Sequence, residues 1–175
     1  MTFAAEYQDS LDGPDTDIRG HLAYLHNIAC WYPRVRVLEL GTRTGESTRA
    51  FLAAADKTGG HVWSVDTEVP QVPDHWFESR RWTFTQGDDM AEILPQPARV
   101  NVLFIDTSHD FGATIAELYK FVPRVLPRGR VLLHDTEWKP PDHPVARALD
   151  IYCAETGRTW RNMAGYNGLG EIEIP

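Results

Sequence analysis

The sequence predicts an α/β fold: a doubly wound, mostly parallel seven-stranded sheet that ends in a C-terminal antiparallel hairpin. Three observations predict it. Five short apolar runs, at 35–40, 61–65, 82–86, 100–105 and 129–134, are largely continuous rather than alternating, as strands covered on both faces are. Helical patterns fall between them, which is the rhythm of β-α-β units. The tail reads TWRNMAG and GLGEIEI around the turn-rich YNG, a hairpin pattern for an antiparallel sheet edge.

Taken in order, Asp17 is placed to cap IRGHLAYLHNIA, with Ile18, Leu22, Leu25 and Ala29 on one stripe. Residues 1–33 therefore read as an N-terminal helical segment ahead of a core over 34–175, the whole forming one domain. The first strand leads to a helix starting near Glu46 and Ser47 and running through STRAFLAAAD. After the second strand comes the longest connection, TEVPQVPDHWFESRRW; after the third, DMAEIL, which Asp88 can cap. ATIAELYKFV sets Ile115, Leu118, Tyr119 and Val122 on one face and stops at Pro123, where the ring cannot continue a helix. VARALDIYCAE follows His143 and Pro144, aligns Val145, Leu149 and Tyr152, and ends at Gly157.

Composition narrows the function. The formal net charge is −8, which argues against nucleic acid as the main partner. No run is long enough to span a membrane, and the N-terminus lacks the basic and apolar regions of a signal peptide. Cys30 and Cys153 stand far apart without a C-x-x-C, so neither a disulfide framework nor a zinc site is indicated. A cytoplasmic location is expected.

Ligands of open α/β sheets sit beyond the carboxyl ends of the strands. Here those ends carry Glu39, Asp66, Asp88, Asp106 and Asp135. Any one acid can simply start a turn; five on one edge point to a site. In VLELGTRTGEST, Gly41 and Gly45 bracket a tight strand-to-helix turn, and the helix start offers free N–H groups to an anion. Arg43 replaces the middle glycine of G-x-G-x-x-G, so a small anionic group such as an amino-acid carboxylate fits better than a pyrophosphate. Glu39 could face a ligand's ammonium. Asp66 lies at roughly the ~20-residue offset at which an acid reads ribose hydroxyls. Asp88, after Gly87, either meets an adenine edge or caps the next helix.

Glu39 to Gly45 with Asp66 downstream resembles motif I and the ribose acid of class I S-adenosylmethionine-dependent methyltransferases, which are Rossmann-like. FIDTSHDFGATIAELYKFVPRVLPRGRVLLHD is similar to the small-molecule O-methyltransferase group that includes cephalosporin-hydroxylase-like and macrolide-sugar enzymes. The resemblance covers about positions 35 to 136; Arg128-Gly129 stands where the group has Gly-Gly, a change expected only to alter a turn. It implies S-adenosyl-L-methionine as cofactor, contacted by Glu39, Gly41, Thr42, Gly45, Ser47, Asp66, Thr67, Gly87, Asp88 and Asp106. It implies a small hydroxylated acceptor, such as a sugar or natural-product scaffold.

The resemblance also makes the strands ending in Asp106 and Asp135 neighbours. Two adjacent carboxylates repel unless something positive lies between them. Asp106 and Asp135 are therefore candidates to hold Mg2+ or another divalent cation. His134 stands where metal-binding relatives often carry an acid; imidazole is a poor magnesium ligand, so it either packs under the site or favours a transition metal, with Glu137 a further oxygen source. His109, three residues past Asp106, is the expected general base, since an imidazole of pKa near ~6.5 can take a hydroxyl proton at neutral pH. Asp110 is expected to cap the following helix. His75, Trp76, Phe77, Trp138, Tyr166 and Asn167 are candidate pocket walls or core. The short chain has no cap domain, which favours a homodimer. A nucleic-acid methyltransferase, a nicotinamide enzyme and a non-catalytic binding module are the competing readings.

Overall fold

The structure, a computed structural model, describes residues 2–91 and 97–175. Two helices, α1 (Phe3–Asp12) and α2 (Arg19–Cys30), precede β1 (Arg36–Leu40) and α3 (Glu46–Thr58). Then follow β2 (His61–Asp66), β3 (Trp82–Gln86), β4 (Val100–Ile105), α4 (Phe111–Phe121), β5 (Val125–His134) and α5 (Pro144–Thr156). The chain ends in the hairpin β6 (Trp160–Met163) and β7 (Leu169–Glu173). Of the helix expected over DMAEIL, residues 92–94 fall outside the described residues, and 89–91 form a turn.

The seven strands run in the order β3-β2-β1-β4-β5-β7-β6. β1 to β5 are parallel, and β7 pairs antiparallel to both β5 and β6. The expected mixed sheet is thus present, with the last strand inserted beside β5 and β6 outermost. Side chains alternate across the sheet even where the sequence is continuously apolar. Val37, Val62, Val102, Phe104 and Leu132 pack with α1, α2 and α3. Leu38, Leu40, Val65, Leu103, Ile105 and Leu133 pack with α4 and α5. That division places Glu39, between Leu38 and Leu40, on the α3 side.

Several expectations change here. Asp17 does not cap α2; the preceding position is Ile18, which makes no side-chain cap, and the Asp17 carboxylate instead accepts from Arg43 at 3.1 Å. α2 starts at Arg19, one residue later than the sequence suggests, which takes Asp17 out of the cap position. Asp110 does cap α4, accepting from the N–H groups of Gly112 and Ala113 at 2.8 and 3.2 Å. Tyr119 is half exposed on that helix rather than part of its buried face, and its hydroxyl donates to Glu155. β5 begins four residues earlier than its apolar run, with Arg128 in the left-handed region at φ 64° and the β4 register shifted opposite it. Arg128 thus takes the backbone shape that a glycine would, and the departure alters a bulge only.

Candidate active site

β1 lies between β2 and β4, so successive connections leave it in opposite directions and open a crevice at its carboxyl end. Backbone approach there is close. The Asp106 N–H donates to Leu40 at 2.8 Å, and a Cβ on Gly41, whose φ is 87°, would lie 1.9 Å from the Asp106 carbonyl oxygen. Only glycine fits. Gly45, at φ 76°, begins α3, and a Cβ there would meet Val72 at 2.6 Å and the Trp76 ring at 2.9 Å. Arg43 also adopts a positive φ, 49°, without the freedom of glycine; its side chain projects outward to Asp17.

A cavity of about 610 Å3 occupies the crevice. Of the residues singled out from sequence, Gly41, Thr42, Asp66, Thr67, Gly87, Asp88, Asp106 and His109 line it. Gly45 and Ser47 lie behind this wall. So does Glu39, which is fully buried; its oxygens accept from Ser47 and Thr48 at 2.7 Å and from Ser64 at 2.6 Å. It cannot face a ligand's ammonium as expected, because the α3 side of the sheet encloses it. Burial pushes its carboxyl up to about 7, against the pull of three hydroxyl donors.

Asp66 accepts from the N–H groups of Thr42 and Arg43 at 2.7 and 3.0 Å through Oδ2, and from Glu68 at 3.0 Å through Oδ1. Burial opposes its charge, but these donors win and hold the carboxyl below its ordinary range. The Thr67 hydroxyl adds to the same pull. Asp88 accepts from the Met90 N–H at 2.8 Å.

Sequence reasoning missed Glu117. It lies on the cavity side of α4, buried, and accepts from Thr107 at 2.7 Å. Burial first, then the neighbouring Asp89, pushes it up to about 8. A lone acid among the buried positions Thr114, Leu118 and Phe121 was its only signal.

At the β4–β5 end, two acids and two imidazoles interlock. His109 Nε2 lies 3.1 Å from Asp106 Oδ1 and 2.8 Å from Asp135 Oδ2. His134 Nδ1 lies 3.5 and 3.2 Å from the same two oxygens. Its Nε2 lies 3.0 and 2.9 Å from the carbonyl oxygens of Asp17 and Tyr166. His109 and Asp135 both hold left-handed backbone, φ 56° and 64°, a strain that persists only where the surroundings over-determine it. Burial works against charge on both rings, but the carboxylates outweigh it, raising His109 to about 9 and His134 to about 11. Asp106 and Asp135 are driven below the usual carboxylate range, again against burial.

Among the described residues, Asp106, His134 and Asp135 form the one group whose ligand atoms, all within 4.8 Å of one another, could hold a metal ion. Glu137 is not available as a further oxygen: its carboxylate accepts from Asn162 at 2.8 Å and from the Gly165 N–H at 3.1 Å, which ties down the hairpin turn. Trp76 is core rather than pocket wall; its indole donates to the buried Glu6 at 2.8 Å. Trp138 does stand near the site, its ring centroid 6.3 Å from that of His109. No helix among the described residues is long and apolar enough to cross a membrane.

A family model described as a methyltransferase domain matches residues 38–136. The chain belongs to this methyltransferase domain family. The match runs from β1 to just beyond β5, the span that builds the crevice. No curated protein matches the sequence. Solved structures extend the likeness over nearly the whole methyltransferase chain. The O-methyltransferase NovP is 17% identical, with 89% of this chain and 80% of that one covered and a TM-score of 0.69. TomG from Streptomyces achromogenes, an O-methyltransferase involved in tomaymycin synthesis and solved with SAM, is 16% identical over 98% and 89% of the two chains, with a TM-score of 0.66. An O-methyltransferase from Bacillus cereus, solved with SAH, is 14% identical over 99% and 87%, with a TM-score of 0.67. At these identities the likeness is one of fold.

Proposed function

We propose that this chain is an S-adenosylmethionine-dependent O-methyltransferase acting on a hydroxyl of a small molecule. The observation that carries the reading is one cavity with two chemically different ends. Gly41, Thr42, Asp66, Thr67, Gly87 and Asp88 line one end with backbone and ionised carboxylate, suited to a nucleoside and an amino-acid group. Asp106 and His109 line the other with acid–base groups.

S-adenosylmethionine, when bound, supplies a methyl group activated on a sulfonium. The protein positions the acceptor oxygen in line with that carbon and takes the hydroxyl proton as the C–S bond breaks and the C–O bond forms. His109 is the proposed base. Its Nε2–H is held by Asp106 and Asp135, so Nδ1 is the ring nitrogen left to accept. The same carboxylates stabilise the imidazolium that results. They also keep His109 protonated until alkaline pH, so turnover should rise toward about 9. Trp138 stands beside His109 at this end.

The reading includes one domain over residues 1–175, a homodimer and a cytoplasmic location. Calorimetric titration tests the core of it. S-adenosylhomocysteine should bind and NAD should not; binding of NAD with neither sulfur nucleoside would overturn the proposal. Light scattering on the purified 19.9 kDa chain tests the dimer, and a protomer-sized particle would refute it.

A further inference from the structure

We propose that the imidazolium ring of His134, and not a divalent metal ion, is the resident cation between Asp106 and Asp135. His134 Nε2 sits between two backbone carbonyl oxygens, of Asp17 and Tyr166. A carbonyl only accepts, so Nε2 carries a hydrogen. Nδ1 faces one oxygen of each carboxylate. A bare Nδ1 lone pair would face two anionic oxygens, which repel it, so Nδ1 carries a hydrogen too. A ring with a hydrogen on each nitrogen is positively charged. It is 2% exposed, beside an Asp135 that is 3% exposed, so water does not screen the pair. The other titratable groups near it are His109, on the same two carboxylates, and His21, edge-on with ring centroids 6.0 Å apart and Nε2 engaged with the Gly165 carbonyl.

The charges then balance: two carboxylates against two imidazolium rings. A divalent ion added to this set would leave it with excess positive charge unless the rings gave up their protons. A hard ion such as Mg2+ takes one or two carboxylates and completes its octahedron with waters. Here the oxygens that would hold it, Asp106 Oδ1 and Asp135 Oδ2, are the ones both rings already face, and Glu137 is committed to the hairpin. The raised His134 and lowered Asp135 agree with this geometry. His134 is thereby a positioning residue. It ties the N-terminal segment at Asp17 and the hairpin turn at Tyr166 to the oxygens that orient His109. Only this consequence for His109 rests on the methyl-transfer reading; the ring's charge is read without turnover.

The full chain tests it directly. In 15N-edited NMR of metal-free protein at neutral pH, His134 should show two protonated ring nitrogens, unchanged by added Mg2+ or Zn2+. Purified protein should carry no stoichiometric metal, and its Tm should not move with either ion. His134→Asp, which places three acids together, should gain a Mg2+-dependent rise in Tm that the wild type lacks. A stoichiometric metal in the purified wild type, or an unprotonated His134 Nδ1 whose signal shifts with Zn2+, would overturn the proposal. The wild-type spectrum decides the matter even if His134→Asp does not fold. Loss of S-adenosylhomocysteine binding with the His134 spectrum intact would remove the methyl-transfer reading alone.

Discussion

Glu39 and Asp135 stand at the carboxyl ends of β1 and β5 on the same sheet edge, both shut away from water; burial pushes both carboxyls up, yet they finish on opposite sides of their ordinary range. Glu39 meets three hydroxyls and moves up to about 7. Asp135 meets two imidazoles and moves down. Hydroxyl donors satisfy an oxygen without offsetting its charge; cations do both. The difference separates support from chemistry. The β1 acid braces the start of α3 against β2, whereas the β5 acid helps set the protonation of the cleft.

The largest break in that comparison should come from Asp135→Asn. It leaves the buried His134 and the half-buried His109 sharing one carboxylate, a change that costs about 3–5 kcal/mol in comparable buried pairs. Urea unfolding measures it, and a loss below ~1 kcal/mol would mean the rings are not charged. Next, His109→Ala should lower turnover by about 100-fold or more, as for a lost general base. S-adenosylhomocysteine affinity should change far less, and calorimetry beside a methyl-transfer assay separates the two.

The pH dependence follows from the signs. His109 is raised from 6.5 to about 9 in the folded protein, so its stabilising share is full below 6.5 and is lost as pH climbs through 9. Asp135 is lowered from 3.8, so its share is present above 3.8 and is lost on acidification through its folded value. Urea midpoints should therefore fall between roughly pH 6.5 and 9 in the wild type, and His109→Ala should flatten that limb. The smallest effect belongs to Glu39→Gln. Glu39 is raised from 4.5 to about 7, so its share is full below 4.5 and fades as pH rises through 7. The neutral amide should cost about 1 kcal/mol at pH 5 and still less at pH 8. A cost that grows with pH would show that Glu39 is stabilised as an anion.

Sequence and structure agree where the signal is itself local. Asp110 caps α4 because its side chain reaches N–H groups two and three residues on. Pro123 and Gly157 mark the ends of α4 and α5 for backbone reasons. Asp17 looked like the same kind of cap, but Arg43, distant in sequence, takes its carboxylate. For Trp76 the sequence leaves pocket wall and core open, and the buried Glu6 on α1, which accepts from its indole, decides for core.

By itself the sequence determined the alternation of strands and helices, the glycine turn after β1 and the acids on one edge, because backbone preference and apolar periodicity are written in neighbouring residues. Tertiary structure decided what each acid does. Only the fold sets Glu39 behind the cleft among hydroxyls, brings Glu117 to the cavity wall, and lays Asp106 and Asp135 against two imidazoles. A carboxyl's charge depends on burial and on the partners at its oxygens, and those partners come from other elements of the fold, as Ser64 on β2, 25 positions from Glu39, does.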